Sequence, residues 1–578
     1  QLYYYFVIKY FKYIVLSLLI GAGLASCNDD DLGTTPRLFR PVATIESQNN
    51  NIVVTWDNIK GASSYEIILF KMTGENEDGT LIGTKYDEAT TSTSPYTFEG
   101  VEWDEKYGVK IKAIGSELQS EYYETKAISV VYPTKLVSIR TIDIAALPTW
   151  SSGGNQITAL EITPTEIEGE PIIVSITDEE YASGQKVIYG LKPNTAYTLT
   201  AYSGEELIRA NYEGKLNFTT RESENFDEKY GEGMYIDLRG YDDPNILISE
   251  EVKAKLDETE GLTVVLQGGY QYKTSSDTPL KFKKSVNFIT GLSLEGNAII
   301  VQSGAMQSES GANIAKLSFT DIDFISDKAN ELPIAEWTDK GFGGRQVYNV
   351  NGSKSMVGEL TFKNCRIEGY RAIARLQGED GINRVLFNSC TINGIGDQAV
   401  VTTNNKAAAT MDEIDFINCT ITNIVQLCDL RSSKNSPTLT VSDCTFCYAP
   451  VDRTDKADWA LFRMGSNTVS LIVENTVFGP SMQATAADGS VITPYVAGKG
   501  SIFLNGTDGT AGVKNSYRTN FEWTKVGDKA LTYPLDGLIT IATDEKGLFT
   551  APTAEEENYM FNFTFDGISS SGALKWRK

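Results

Sequence analysis

Leu360-Thr-Phe-Lys-Asn-Cys365 is a phrase that the chain writes five times with small changes: Val385-Leu-Phe-Asn-Ser-Cys390, Ile414-Asp-Phe-Ile-Asn-Cys419, Leu439-Thr-Val-Ser-Asp-Cys444 and Leu471-Ile-Val-Glu-Asn-Thr476 complete the set. The final residues recur after 25, 29, 25 and 32 residues, so the turns vary in length while the strand is kept. Each phrase alternates apolar and polar residues with period two, the pattern of a strand with one buried face. A second apolar step follows each one: Thr391-Ile392, Thr420-Ile421, Thr445-Phe446 and Val477-Phe478. Stacked coils place Cys365, Cys390, Cys419, Cys444 and Thr476 in one interior column. The polar residue before each of them (Asn364, Ser389, Asn418, Asp443, Asn475) is expected at a bend, bonding to the neighbouring coil. Such a stack offers a long lateral face on which an extended polymer can lie.

The chain has 578 residues, 41% of them hydrophobic and 29 of them Tyr, a folded composition too long for one core. About two to four units are expected. With 51 basic and 76 acidic residues the formal charge is −25, which argues against nucleic acid as a partner. Histidine is absent from the sequence, and this removes Ser-His-Asp and Cys-His mechanisms and imidazole zinc sites.

Lys9 and Lys12, an apolar run over 13–24 and then Leu24-Ala25-Ser26-Cys27 describe a lipoprotein signal peptide over 1–27, ending in a lipobox. The run is shorter than the ~20 residues a membrane span needs. Cys27 is the expected lipidation site. Asn28-Asp29-Asp30-Asp31 opens an acidic tether over 28–36 and resembles the surface-export signal of Bacteroidota lipoproteins. This implies an outer-membrane, surface-exposed protein held by a lipid anchor. The other six cysteines are an even number, which ordinarily suggests disulfides in an exported protein. Four of them occupy equivalent inward positions of successive coils, however, where side chains point in parallel and pack as small apolar groups. Free buried thiols are expected there, and the state of Cys428 and Cys447 is left open. Neither a CxxC pair nor histidine supplies a tetrahedral metal site.

Short, evenly spaced strands such as Ile52-Val53-Val54-Thr55-Trp56, Tyr65-Glu66-Ile67-Ile68-Leu69 and 107–113 point to an all-β sandwich over 37–132. A second module over 133–220 contains Gly190-Leu191-Lys192-Pro193-Asn194-Thr195-Ala196-Tyr197, which resembles the tyrosine corner of the fibronectin type III family. Both modules read as stalks, with Trp56, Trp103 and Trp150 as core or corner residues rather than sugar platforms. Residues 221–233 read as a linker. Ser249 is placed to cap a short helix through about Asp257, with Glu250 and Glu251 in its first turn. A buried strand running into Gly268-Gly269-Tyr270 follows, and then strand after strand with Asn-Cys bends.

This order resembles the pectate-lyase-like right-handed β-helix superfamily over 234–578. Within it, the chain is similar to lipoproteins of polysaccharide-utilisation systems with fibronectin-like modules ahead of a helix. The fold class expected is therefore all-β, two fibronectin type III-like sandwiches followed by a right-handed parallel β-helix. The superfamily spans lyases, hydrolases, esterases and binding proteins, so fold alone does not fix activity. Its polygalacturonase-like branch needs clustered aspartates and a histidine, whereas Gly396-Asp397-Gln398 supplies neither the second aspartate nor the histidine. Inverting hydrolysis needs two carboxyl groups ~6.5–9.5 Å apart, and the sequence places no such pair.

A lyase needs calcium and an Arg or Lys base. Asp380, Asp397, Asp412, Asp429 and Asp452 are scattered among turns, so calcium enters only with that alternative and no cofactor or metal ligand is otherwise assigned. Aligning the third strand of successive coils brings Arg375, Arg431 and Arg463, with Asp429 and Lys434, toward an outward basic patch suited to a uronate-containing, pectin-like polysaccharide. Tyr370, Tyr448 and Trp459 are nearby rings able to stack on sugars or to pack in the core. The expectation is a monomeric surface lipoprotein that binds an acidic glycan, with Arg375, Arg431 and Arg463 as weak catalytic candidates if it is a lyase. An adhesin or structural spike fits the length and stalks as well. Beyond Phe478, Ser501-Ile-Phe-Leu-Asn505 continues the pattern, while 514–578 resists placement apart from Glu555–Tyr559 and Phe561–Phe563, which resemble a closing cap.

Overall fold

The computed structural model describes residues 37–75, 81–328, 345–351, 354–403, 409–431, 433–451, 460–463, 469–479, 481–485, 491–497, 501–505, 509–519, 535–541, 549–550, 564–565 and 568–577. The signal peptide, Cys27, the acidic tether, Asp452, Trp459 and the segment 551–563 lie outside the described residues. The chain divides into two compact units, 1–135 and 136–578.

In the first unit one sheet joins Ala43–Gln48, Asn51–Trp56 and Tyr96–Phe98. The other joins Leu81–Thr91, Ser64–Glu75 and Glu105–Ile114, with two short strands on the outer edge of the last. Alternation in Asn51–Trp56 sends Ile52, Val54 and Trp56 inward to meet Ile67, Leu69, Val109 and Ile111. The Tyr107 hydroxyl accepts the Glu102 N–H at 3.0 Å and pins the connection ahead of its strand.

The second unit begins with a sandwich of the same strand order. Ile188–Tyr189, Ala145–Trp150 and Leu136–Thr141 form one sheet, and Ile172–Ser175, Ile157–Pro164, Ala196–Ser203 and Tyr212–Thr219 the other. Tyr197 repeats the corner by accepting the Lys192 N–H at 2.9 Å. Trp56 and Trp150 are buried and Trp103 packs edge-on to Tyr132, so none of the three is a free platform. Two fibronectin type III-like sandwiches are thus present.

The reading of 221–233 as a linker meets a short helix, Phe226–Tyr230, capped by Asn225. Phe226 is buried, packs against Tyr235 and lies under the Arg239 guanidinium. Arg239 donates to both oxygens of Asp143 in the sandwich, each at 3.0 Å, and to Asp237 in the first solenoid strand. The Tyr189 hydroxyl reaches the Gly268 carbonyl at 3.3 Å. A Cβ on Gly291 would come within 2.7 Å of Arg239 Cδ, so the guanidinium stem occupies the space that a side chain there would need.

From Tyr235 the chain winds as a parallel β-helix. Ser249 caps the helix Glu250–Glu258 through the Val252 N–H, as expected. The first face is a ten-stranded parallel sheet from Tyr235–Asp237 to Gly509–Lys514. Its interior carries Phe288, Phe319, Phe362, Phe387 and Phe416 as a stack with centroids 4.8–5.3 Å apart. The second face runs from Gln271–Thr274 through Arg366–Tyr370 to Ile539–Thr540, and the third through Gln346–Asn351, Ala372–Gln377 and Ala460–Arg463.

The corner between the first two faces is the one the repeated phrase encodes. Asp321, Asn364, Ser389, Asn418, Asp443, Asn475 and Asn515 all take positive φ, and their short polar side chains tolerate it. Asn364 donates to Asp321 at 2.6 Å, Asn418 to Ser389 at 2.9 Å and Asn515 to Asn475 at 2.9 Å. Behind them the thiols of Cys365, Cys390, Cys419 and Cys444 donate to Phe319, Phe362, Phe387 and Phe416 carbonyls of the preceding coil. Thr476 continues the column with its hydroxyl on the Val441 carbonyl. The six cysteines among the described residues are free and buried, Cys428 and Cys447 with them, and burial pushes the thiols of Cys365, Cys390 and Cys419 well up.

The end of the chain doubles back over the second face. Gly572 N–H bonds to Asn475, Ala573 N–H to Thr445, Leu574 N–H to Asn418, the Trp576 indole to Thr420 and Lys575 to Thr391. A strap over 571–577 therefore crosses coil after coil, where the sequence had given no placement.

Candidate functional site

Each face of the solenoid presents a different chemistry to its surroundings. On the first face Lys316, Glu359, Arg384 and Glu413 stand level on successive coils. They pair among themselves and with Asp415, Lys316 to Glu359 at 2.8 Å and Arg384 to Asp415 at 2.7 Å. With Lys316 and Arg384 set against Glu359, Glu413 and Asp415, carboxylates outnumber cations and this face offers no attraction to an acidic polymer. The later coils of the second face lie beneath the strap.

The corner between the second and third faces holds a polar ladder that the sequence did not announce. Gly369, Gly394, Asn423 and Tyr448 take positive φ in turn, each preceded by a buried residue: Glu368, Asn393, Thr422 and Cys447. Asn393 accepts from Thr422 and Asn423, both at 2.7 Å, and Glu368 accepts from Arg366 at 2.8 Å. Burial raises the Glu368 carboxyl to about 7 against the pull of Arg366. The folded protein therefore holds this proton more tightly than the unfolded chain does. Its contribution to stability is present below the ordinary glutamate range and is lost as pH rises toward 7. Glu368→Gln is expected to stabilise the protein by about 2 kcal/mol at pH 8 and to change little at pH 4. Urea melts of both proteins at the two pH values check this, and parallel pH profiles would rule the assignment out.

The third face carries the sequence-predicted arginines, with a register different from the one expected. The strand pairings bring Lys281 level with Gln307, Asn349 with Arg375, Arg375 with Thr402, Thr402 with Asp429, Asp429 with Arg463 and Arg463 with Asn505. The bridge between Met306 and Tyr348 puts Gln307 level with Asn349 and joins the two ends. One outward file thus runs over seven rungs from Lys281 to Arg463. At ~4.8 Å per rung its length is roughly 29 Å.

Lys281 is exposed, Gln307, Asn349, Arg375 and Arg463 are partly exposed, and Thr402 and Asp429 are buried, so the file is sunk at its middle. Arg431 does not join it. It lies two residues beyond Asp429 and clasps that carboxylate with Nε and one terminal nitrogen, each at 2.8 Å. Lys434 is exposed outside the file. The three arginines expected together are therefore two in one file and one turned onto its acid. Unequal turn lengths are the reason, since counting residues from the previous coil does not give the rung.

Tyr370 is fully buried and its hydroxyl donates to Gln302 at 2.9 Å, so its ring packs in the core and presents no stacking surface. The side chain of Asp397 lies outside the described residues. Asp380 accepts from Ser355, Asp412 from Asn435 and Asp429 from Arg431, three separate settings. Among the described residues no three acidic or thiol side chains converge as a metal site would need. Sequence reasoning missed Lys281, Gln307 and Asn349, whose strands are very short or belong to the irregular early coils. It also missed Arg345 and Arg371, which stand at the starts of their strands. Charge on those short strands was the available signal, but no repeat aligned it.

No sequence family matches the chain, and no curated protein matches it. Among solved structures it is similar to a two-domain fibronectin type III segment of chicken tenascin, at 12% identity over 31% of this chain and 98% of that one, with a TM-score of 0.15. It is also similar to the FN1–FN3 domains of chicken CNTN1, at 18% identity over 32% of this chain and 69% of that one, with a TM-score of 0.14. The assignment of the sandwiches rests on their own strand order.

Proposed function

We propose that the protein is a surface-anchored lipoprotein that binds an extended, acidic, pectin-like polysaccharide along the third face of its β-helix. The observation that supports this is the continuous outward file of polar residues from Lys281 to Arg463. Amide, hydroxyl and guanidinium groups repeated at one spacing match a ligand that is itself a repeat. Arginine binds carboxylate bidentately and keeps its charge at any physiological pH. The signal-like N-terminus and the two sandwiches fit a role in which the solenoid is presented at the cell surface.

The test is affinity electrophoresis and calorimetry on polygalacturonate and other uronate polymers. Arg375→Gln combined with Arg463→Gln is expected to weaken binding roughly tenfold or more, as the loss of one or two charge-assisted contacts implies. Unretarded migration of the wild-type protein on every acidic glycan tried would overturn the reading. Release of unsaturated, ultraviolet-absorbing uronides with calcium would assign a lyase instead.

A further inference from the structure

The cations of the outward file are regularly spaced. Lys281, Arg375 and Arg463 occupy it with two rungs between each successive pair: Gln307 and Asn349 in the first interval, Thr402 and Asp429 in the second. We infer that this face selects an acidic polysaccharide whose anionic groups recur every third rung, roughly every 14 Å, over one ionised on every ring. The inference rests on the binding reading above and refines it from acidic glycans in general to those with sparse, periodic charge.

The intervening rungs argue against dense charge. Asp429 places a carboxylate in the file; although Arg431 clasps it, a ligand carboxylate at that level would still face acidic oxygens. Gln307 and Asn349 are uncharged and partly exposed, and an amide at those rungs suits a sugar hydroxyl rather than a carboxylate's charge. Acceptors between cations reject the wrong ligand while the cations hold the right one, which is how selectivity is built.

The other arginines of this face do not fill the gaps. Arg345 and Arg371 are bonded in consecutive rungs through their backbones. Arg371 stands four residues before Arg375, about 13 Å along the strand and off the track of the file. The overall charge of −25 also disfavours a densely anionic chain.

The experiment compares, at fixed ionic strength and matched chain length, a polysaccharide with one uronate per three-sugar repeat, polygalacturonate, and pectin methyl-esterified at random to the same mean charge as the first. Calorimetry is expected to show the regular polymer binding at least roughly tenfold tighter than the random one. The exchange variant Asn349→Arg with Arg375→Asn keeps composition and moves the middle cation by one rung. It is expected to lose that preference and to bind the regular and the random polymer equally. Lys281→Gln, at an exposed position, is expected to weaken the regular polymer a few-fold without touching the core. Equal affinity for regular and random polymers, or tighter binding of polygalacturonate, overturns the inference and leaves the binding reading standing. Failure of all three polymers to bind overturns both.

Discussion

Replacing Arg239 by Met is expected to destabilise the second unit by about 3–5 kcal/mol, because it leaves a buried carboxylate without its cation. Asp143 is completely buried, and the Arg239 side chain is 3% exposed. Burial opposes the charge on Arg239, but the bonds to Asp237 and Asp143 outweigh it and hold the guanidinium ionised. Asp143→Leu is expected to cost less, since Arg239 keeps Asp237. The double variant Asp143→Leu with Arg239→Met is expected to recover most of the loss, as replacing a whole buried pair by apolar groups often does. Urea titrations of the four proteins form the cycle. A loss below about 1 kcal/mol in the Arg239 variant would show that water reaches the pair and that the joint is looser than its geometry implies.

Phe387→Ala is expected to cost about 3–5 kcal/mol, the range for deleting a buried aromatic ring. The ring lies between Phe362 and Phe416 with centroids 5.2 and 4.8 Å away and planes within 7° and 3° of parallel. A solenoid coil contacts only its neighbours, so the damage stays local. Hydrogen exchange is expected to rise in Met356–Lys363 and Thr410–Ile417 and to stay unchanged in Leu262–Leu266. Phe387→Leu, which refills part of the cavity, is expected to restore about half of the loss. Uniform loss of protection along the whole solenoid would contradict the local picture.

How much was legible differs from corner to corner. The bend after the first face could be read because the same residue types recur there, polar residue then cysteine, on strands with strict alternation. The second corner has the same backbone geometry but is built from Gly369, Gly394, Asn423 and Tyr448, which share no side-chain chemistry. The arginine site was legible in part. Arg375 and Arg463 do share a file, whereas Arg431 was taken for its third member because turns of unequal length hide the rung. Lys281 and Gln307 sit on strands of two residues, too short for any periodicity to show.

By itself the sequence determined the class of architecture: a parallel solenoid behind two sandwiches, with an interior column of cysteines and a polar bend. Those features are local, set by alternation and by residues that accept a left-handed backbone. Only the tertiary structure decided which side chains share a file, how the second sandwich is locked to the solenoid, and that the strap runs back across it. These rest on contacts between residues 96 positions apart at the Asp143–Arg239 pair and 184 apart at Lys575 and Thr391. Closure over such distances depends on the summed lengths of every intervening turn, and no local pattern carries that sum.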